Sequence, residues 1–96
     1  MITDDGTVLV FDWLAAIAAD RDVTDSTCRL AMMLGNQFWA NATTVLSFSG
    51  LELASQTGCT PRGAGKQMAS LIAAGHIQVD RGRGRGRKNK YLLPKK

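Results

Sequence analysis

Ser49-Gly50-Leu51-Glu52-Leu53-Ala54-Ser55-Gln56-Thr57-Gly58-Cys59-Thr60-Pro61-Arg62-Gly63-Ala64-Gly65-Lys66-Gln67-Met68-Ala69-Ser70-Leu71-Ile72-Ala73-Ala74-Gly75 contains two helix starts and two helix stops. Ser49 with Glu52 three positions on is a capping-box pattern, in which hydroxyl and carboxylate each satisfy an orphan backbone N–H. Phe48 before the cap and Leu53 at the fourth helical position match a hydrophobic staple. The pattern predicts a short helix over Gly50–Thr57, closed by Gly58 as a left-handed residue. Thr60 then caps a second helix, and Pro61 takes the first position, where a missing N–H costs nothing. That helix runs through Ala74 and stops at Gly75. Ala64, Met68 and Leu71, flanked by Ile72, form its buried stripe; Arg62, Gly63, Lys66, Gln67 and Ser70 fall on the other face.

Working upstream, Val45-Leu46-Ser47-Phe48 reads as a short strand after a loop at residues 41–44. Thr24 caps a long helix that reaches about Ala40, with Asp25 placed against the dipole of its first turn. Thr27, Ala31, Leu34 and Phe38, with Leu30 beside them, make its buried stripe. Met32, Met33 and Trp39 lie off that stripe, so the helix is apolar on more than one side. Further upstream, Asp12 is the expected N-cap of a helix over Trp13–Ala19, with Trp13 and Ile17 on one face. Asp20-Arg21-Asp22 is expected to end that segment in solvent. Val8-Leu9-Val10-Phe11 fits either a strand or a first helical turn, and periodicity does not decide between them. Downstream, Ile77-Gln78-Val79 and Tyr91-Leu92-Leu93 read as two strands of a hairpin. The resulting class is α+β, mainly helical with a small β-hairpin.

The chain has 96 residues and a mass of 10.3 kDa, which is one domain's worth, so residues 1–96 are expected to form a single unit. An apolar fraction of 45% suffices for a core without staples. Charge is divided unevenly. Residues 1–60 hold two basic and seven acidic side chains, a balance of −5, whereas residues 61–96 hold ten basic ones and Asp80, a balance of +9. Such a split suggests a polyanionic partner for the C-terminal third. No apolar run approaches the roughly 18 residues that span a bilayer. The opening Met-Ile-Thr-Asp-Asp lacks the features of a secretory signal, so a cytoplasmic, nucleoid-associated location is expected. Cys28, Cys59 and His76 lack metal-site spacing, and no metal or cofactor is expected. No nucleophile–base pair, phosphate loop or paired carboxylate motif is present, so enzymatic activity is not expected.

Two helices joined by Gly58-Cys59-Thr60, the second with a basic and polar start, make a helix-turn-helix pattern. A strand precedes the pair, and a hairpin with a basic tip follows it. This order resembles the winged helix-turn-helix family. The resemblance rests on Glu52-Leu53-Ala54, Gly58, Thr60, Arg62, Ala64, Leu71, Gly75, Ile77 and Tyr91, and covers about residues 24–93. It is similar to the small winged-helix domains of phage and plasmid replication initiators and of bacterial transcription regulators. The resemblance implies a helix-turn-helix over about residues 49–75 and a wing over about 76–93. It also implies sequence-specific binding of double-stranded DNA in transcription regulation, replication or recombination. Gly63 and Gly65 depart from the family pattern, which places better helix formers there. Each Gly costs roughly 1 kcal/mol in a helix interior, so the helix start is expected to be loose or pressed against a backbone.

The chemistry of the residues agrees. An α-helix fits the major groove, where Arg62 offers a bidentate donor pair to guanine and Gln67 a matched pair to adenine. Thr60, Gly63, Lys66 and Ser70 complete the expected helix contacts. In the wing, Arg81, Arg83, Arg85 and Arg87 alternate with three Gly, followed by Lys88 and Lys90. Gly removes bulk and Arg brings charge, a combination suited to a narrow A·T minor groove. A flexible loop touching phosphates without preference is the plainer reading of the same residues. RNA binding and a protein-interaction module are the alternatives; the missing aromatic residues among the Arg weigh against RNA. His76 is read as a strand-start residue, Cys59 as a small apolar residue of the turn, and most acids as caps and surface charge. Residues 8–40 offer Trp13, Met32 and Trp39 as surplus apolar surface, from which a homodimer is expected.

Overall fold

The helix starts are set by hydroxyl caps. In a computed structural model describing residues 9–82 and 87–94, Thr24 accepts a hydrogen bond from the Thr27 N–H and opens helix α2, Asp25–Ala40. Ser49 accepts from the Glu52 N–H at 3.2 Å while Glu52 Oε1 accepts from the Ser49 N–H at 3.1 Å. That completed capping box opens α3, Gly50–Thr57. Thr60 accepts from the Gly63 N–H, with Pro61 first in α4, Pro61–Ala73. Ala74 caps that helix rather than belonging to it.

Helix α1 spans Val10–Ala19 and departs from expectation at its start. Leu9 occupies the N-cap without a side-chain bond, and Asp12 is a helical residue of the first turn, not the cap. The physical reason is burial. Val10, Trp13, Leu14 and Ile17 fall on one face and pack against the core, which extends the helix a turn upstream of any capping residue. Asp12 still gains from the helix dipole there. Asp20 is a second correction: it does not end α1 in open solvent. Its Oδ2 lies 2.7 Å from His76 Nε2, and Oδ1 accepts from the Asp22 N–H at 2.9 Å.

Strands β1, Val45–Phe48, β2, Gln78–Asp80, and β3, Asn89–Leu92, form an antiparallel sheet in the order β1-β3-β2. The two hairpin strands are offset from the expected Ile77–Val79 and Tyr91–Leu93. Cross-strand register moves them: Phe48 pairs with Asn89 at one end of β3 and Val45 with Leu92 at the other. Leu93 leaves the ladder, although its N–H still reaches the Thr44 carbonyl at 3.1 Å.

Helix α2 packs against α1, α3 and α4. Its stripe of Thr27, Leu30, Ala31, Leu34 and Phe38 is buried, joined by Leu53, Ala64, Met68, Leu71, Ile77 and Tyr91 in one cluster. Trp13 belongs to this core. It is 1% exposed, its ring meets Phe38 edge-on with centroids 5.7 Å apart, and its indole N–H donates to the His76 carbonyl. It is therefore not surplus surface. Met32, Met33 and Trp39 are exposed, as their position off the stripe implies. Among the described residues, no helix is long and apolar enough to cross a membrane.

The Asp20–His76 link ties the end of α1 to the exit of α4. The Asp22 N–H, followed by the His76 side chain, holds the Asp20 carboxyl below its usual range. A carboxyl lowered in the folded state stabilises above its unfolded pKa, and that contribution is lost as pH falls through the folded value. Stability of the wild-type chain is thus expected to fall more steeply below about pH 4 than that of Asp20→Asn. Urea midpoints across the acid range check this, and parallel curves would reject it.

Candidate nucleic-acid interface

The turn between α3 and α4 is built by backbone geometry. Gly58 adopts a left-handed conformation with φ 67°, which glycine enters without the Cβ clash of other residues. The Gly58 N–H donates to the Ala54 carbonyl, and so does the Cys59 N–H, at 3.1 Å. The Thr57 hydroxyl, buried in the helix pair, donates to the Leu53 carbonyl at 2.7 Å. These bonds direct the chain sharply into the Thr60 cap, so α4 crosses α3 with Ala64, Met68 and Leu71 inward.

That inward stripe fixes what α4 presents outward. Arg62 and Lys66 are exposed, together with Gly65, Ala69 and Ala73. The expected face is thus only partly the outer one. Gly63, Gln67 and Ser70 are half-buried on the flank, and Gln67 Oε1 lies 3.8 Å from Cys59 Sγ, over the turn. The outward position of Ala69 and Ala73 was legible in principle, because they lie opposite Ala64, Met68 and Leu71 on a helix turning about 100° per residue, with Gly65 to one side. Neither glycine is pressed against a backbone of the chain. A Cβ at Gly63 would come within 3.0 Å of Thr60 Oγ1, a side-chain cap rather than a backbone, and Gly65 faces open space.

The hairpin brings a second group of bases to the same side. Gly82 closes its base: the N–H donates to Asn89 Oδ1 at 3.1 Å, and a Cβ at Gly82 would sit 2.3 Å from the Lys88 carbonyl oxygen. Only glycine allows that approach. Arg81 lines a hollow with Pro61, Gly65 and Ala69 of α4. Arg87 borders a wider cleft with Leu51 and Glu52 of α3 and Pro61 of α4. Lys88 Nζ lies 3.3 Å from Glu52 Oε2. The Glu52 carboxyl is held below its usual range, first by the Ser49 backbone N–H and further by Lys88.

Arg81, Arg87 and Lys88 therefore border the N-terminal turns of α3 and α4, while Arg62 and Lys66 are exposed on α4 itself. Lys90 does not join them. It faces Ser47 and Asp80 directly across the sheet, and since its neighbour Tyr91 is buried, Lys90 points from the outer sheet face. Arg83 and Arg85 lie outside the described residues. Two features escaped the sequence reading: the Glu52 carboxylate within the basic surface, and Leu51, 73% exposed beside Arg87. Among the described residues, no group of three His, Cys, Asp or Glu side chains converges as a metal site. No protein-family model, curated protein or solved structure matches the chain.

Proposed function

We propose that this chain binds double-stranded DNA sequence-specifically as a winged helix-turn-helix domain, without catalysis. Helix α4 enters the major groove and the β2–β3 wing reaches the adjacent minor groove. The observation that carries this reading is that Arg81 and Arg87 of the hairpin line hollows with Pro61, Gly65 and Ala69 of α4, the helix on which Arg62 and Lys66 are exposed. The order α1-α2-β1-α3-α4-β2-β3, with β3 between β1 and β2, supports the winged-helix assignment. It gives the hairpin a third strand, β1, which packs against α2 and α3. The exposed small residues Gly65, Ala69 and Ala73 leave room for the helix backbone to approach a groove floor. Work on DNA suits a regulator of transcription or an accessory factor of replication or recombination, acting in the cytoplasm.

Binding to duplex DNA, single-stranded DNA and RNA, compared by mobility shift, tests the reading. Preference for duplex is expected; equal weak binding to all three would overturn it, and preference for RNA would move the function to that class. Arg62→Ala is expected to cost roughly 1–3 kcal/mol of binding and to relax preference at one base position. Unchanged affinity and specificity would show that α4 is not the reading element.

Glu52→Gln separates capping from charge. Glutamine retains the capping-box bond at the third helical position, but it removes the carboxylate and releases Lys88 for a phosphate. Duplex affinity is expected to rise by a few fold at low salt, with thermal stability nearly unchanged. Weaker binding by a folded variant would place Glu52 in a direct contact instead.

A further inference from the structure

Helix α1 contains one ionisable residue, Asp12, among ten. Its buried side is Trp13 and Ile17, and its exposed side is Phe11, Asp12, Ala15, Ala16, Ala18 and Ala19. A surface helix normally sets a polar face opposite its core stripe, whereas a helix apolar all round is a covered one. The neighbouring exposed flank of α2 continues the same surface. Phe11 and Trp39 pack with their rings tilted at 51° and centroids 5.0 Å apart, and Phe11, Met32 and Trp39 are each 65% exposed. We propose that this α1–α2 face is the contact surface between two copies of the chain.

Area and shape both favour a second copy. At 65% exposure, the three large side chains leave about 400 Å² open, taking aromatic and similar side chains at about 200 Å² each. Leu9, Ala15 and Ala18 bring the patch to about 500 Å², near the upper end for a monomer's largest patch. A polar rim would bring it toward the roughly 800 Å² per partner of a standard interface. The face also carries projections and hollows side by side, and a two-fold contact sets one such patch against its own copy. Phe11, Trp39 and Met32 project from it. A hollow of about 350 Å³ opens beside Leu9, Phe11 and Trp39, and one of about 330 Å³ beside Leu14, Ala18 and Met32. Since α3 and α4 pack elsewhere on α2, two copies joined here keep both outer ridges of α4 free. The proposal and its test stand independently of nucleic-acid binding.

Sedimentation equilibrium of the intact chain without nucleic acid decides the matter. At tens of micromolar the mass is expected to be twice 10.3 kDa. Met32→Lys and Phe11→Lys are expected to raise the dissociation constant at least about tenfold, as interface anchors do. Leu51→Lys, at an exposed leucine of α3, is expected to leave the dimer intact. Far-UV circular dichroism confirms folding; should Phe11→Lys unfold through loss of its ring contact with Trp39, Met32→Lys decides alone. A wild-type chain that stays monomeric at every concentration overturns the proposal, as does a folded Met32→Lys that dimerises like wild type. A monomer that binds an apolar dye at this face, and loses that binding in Met32→Lys, would assign the face to a different partner.

Discussion

Trp13→Ala is expected to cost about 3–5 kcal/mol of folding stability, the range for removing a large aromatic side chain from a core. Three losses combine at this position. The cavity opens between α1 and α2, the edge-on contact with Phe38 disappears, and the His76 carbonyl loses its indole donor. Because native domains hold only about 5–15 kcal/mol in total, the variant should be marginal at room temperature. Trp39→Ala provides the contrast. Its ring is 65% exposed and touches Phe11 on the surface, so about 1 kcal/mol or less is expected. Denaturant titration at low protein concentration, where association adds nothing, compares the two. Similar losses for both tryptophans would contradict the placement of α1 on α2.

Neutralising the wing is expected to produce the largest change in binding. With Arg81, Arg83, Arg85, Arg87 and Lys88 all replaced by Ala, roughly three phosphate or minor-groove contacts are lost per chain. The slope of log affinity against log salt should then shrink by about 2.7, at about 0.9 per contact. Across a fourfold rise in salt, wild type would lose about 40-fold more affinity than the variant. Exchanging Arg83 and Arg85 for Lys tests the groove itself. Charge is retained, but Arg is less strongly hydrated and better suited to a narrow A·T minor groove. The loss should be greatest on duplexes with an A·T-rich flank under the wing. Equal losses on A·T and G·C flanks would reduce the wing to a phosphate clamp, and no loss for the Lys version would leave charge alone as its contribution.

Much of this fold is written in interactions among close neighbours. Thr24 with Thr27, Ser49 with Glu52, Thr60 with Gly63, and Gly58 at the turn each act within a few residues. Any chain with those residues at those spacings starts and stops helices there, so α2, α3 and α4 were legible before the structure. The start of α1 was not, because Leu9 offers no side-chain cap and the helix is extended by burial of Val10 instead. The basic residues of α4 and the hairpin were also visible as a charge split. Their arrangement was only half visible: the inward stripe of α4 orients Arg62 and Lys66 outward, but Gln67, three residues after Ala64 and four before Leu71, falls on the flank, where its Oε1 reaches the Cys59 turn.

Tertiary structure decided whatever depends on distant partners. Trp13 and Trp39 are alike in composition and differ in fate because Phe38 and His76 close over one of them. Lys88 meets the Glu52 carboxylate because the hairpin folds back over the start of α3. Lys90 points from the outer sheet face because β1 and β2 pair with β3 in a register that sends Tyr91 into the core. Side chains alternate along a strand, so a one-residue slip would exchange those faces. Local caps hold no information about that register. It is settled when Leu46 and Tyr91 reach the same hydrophobic cluster from strands far apart in the chain.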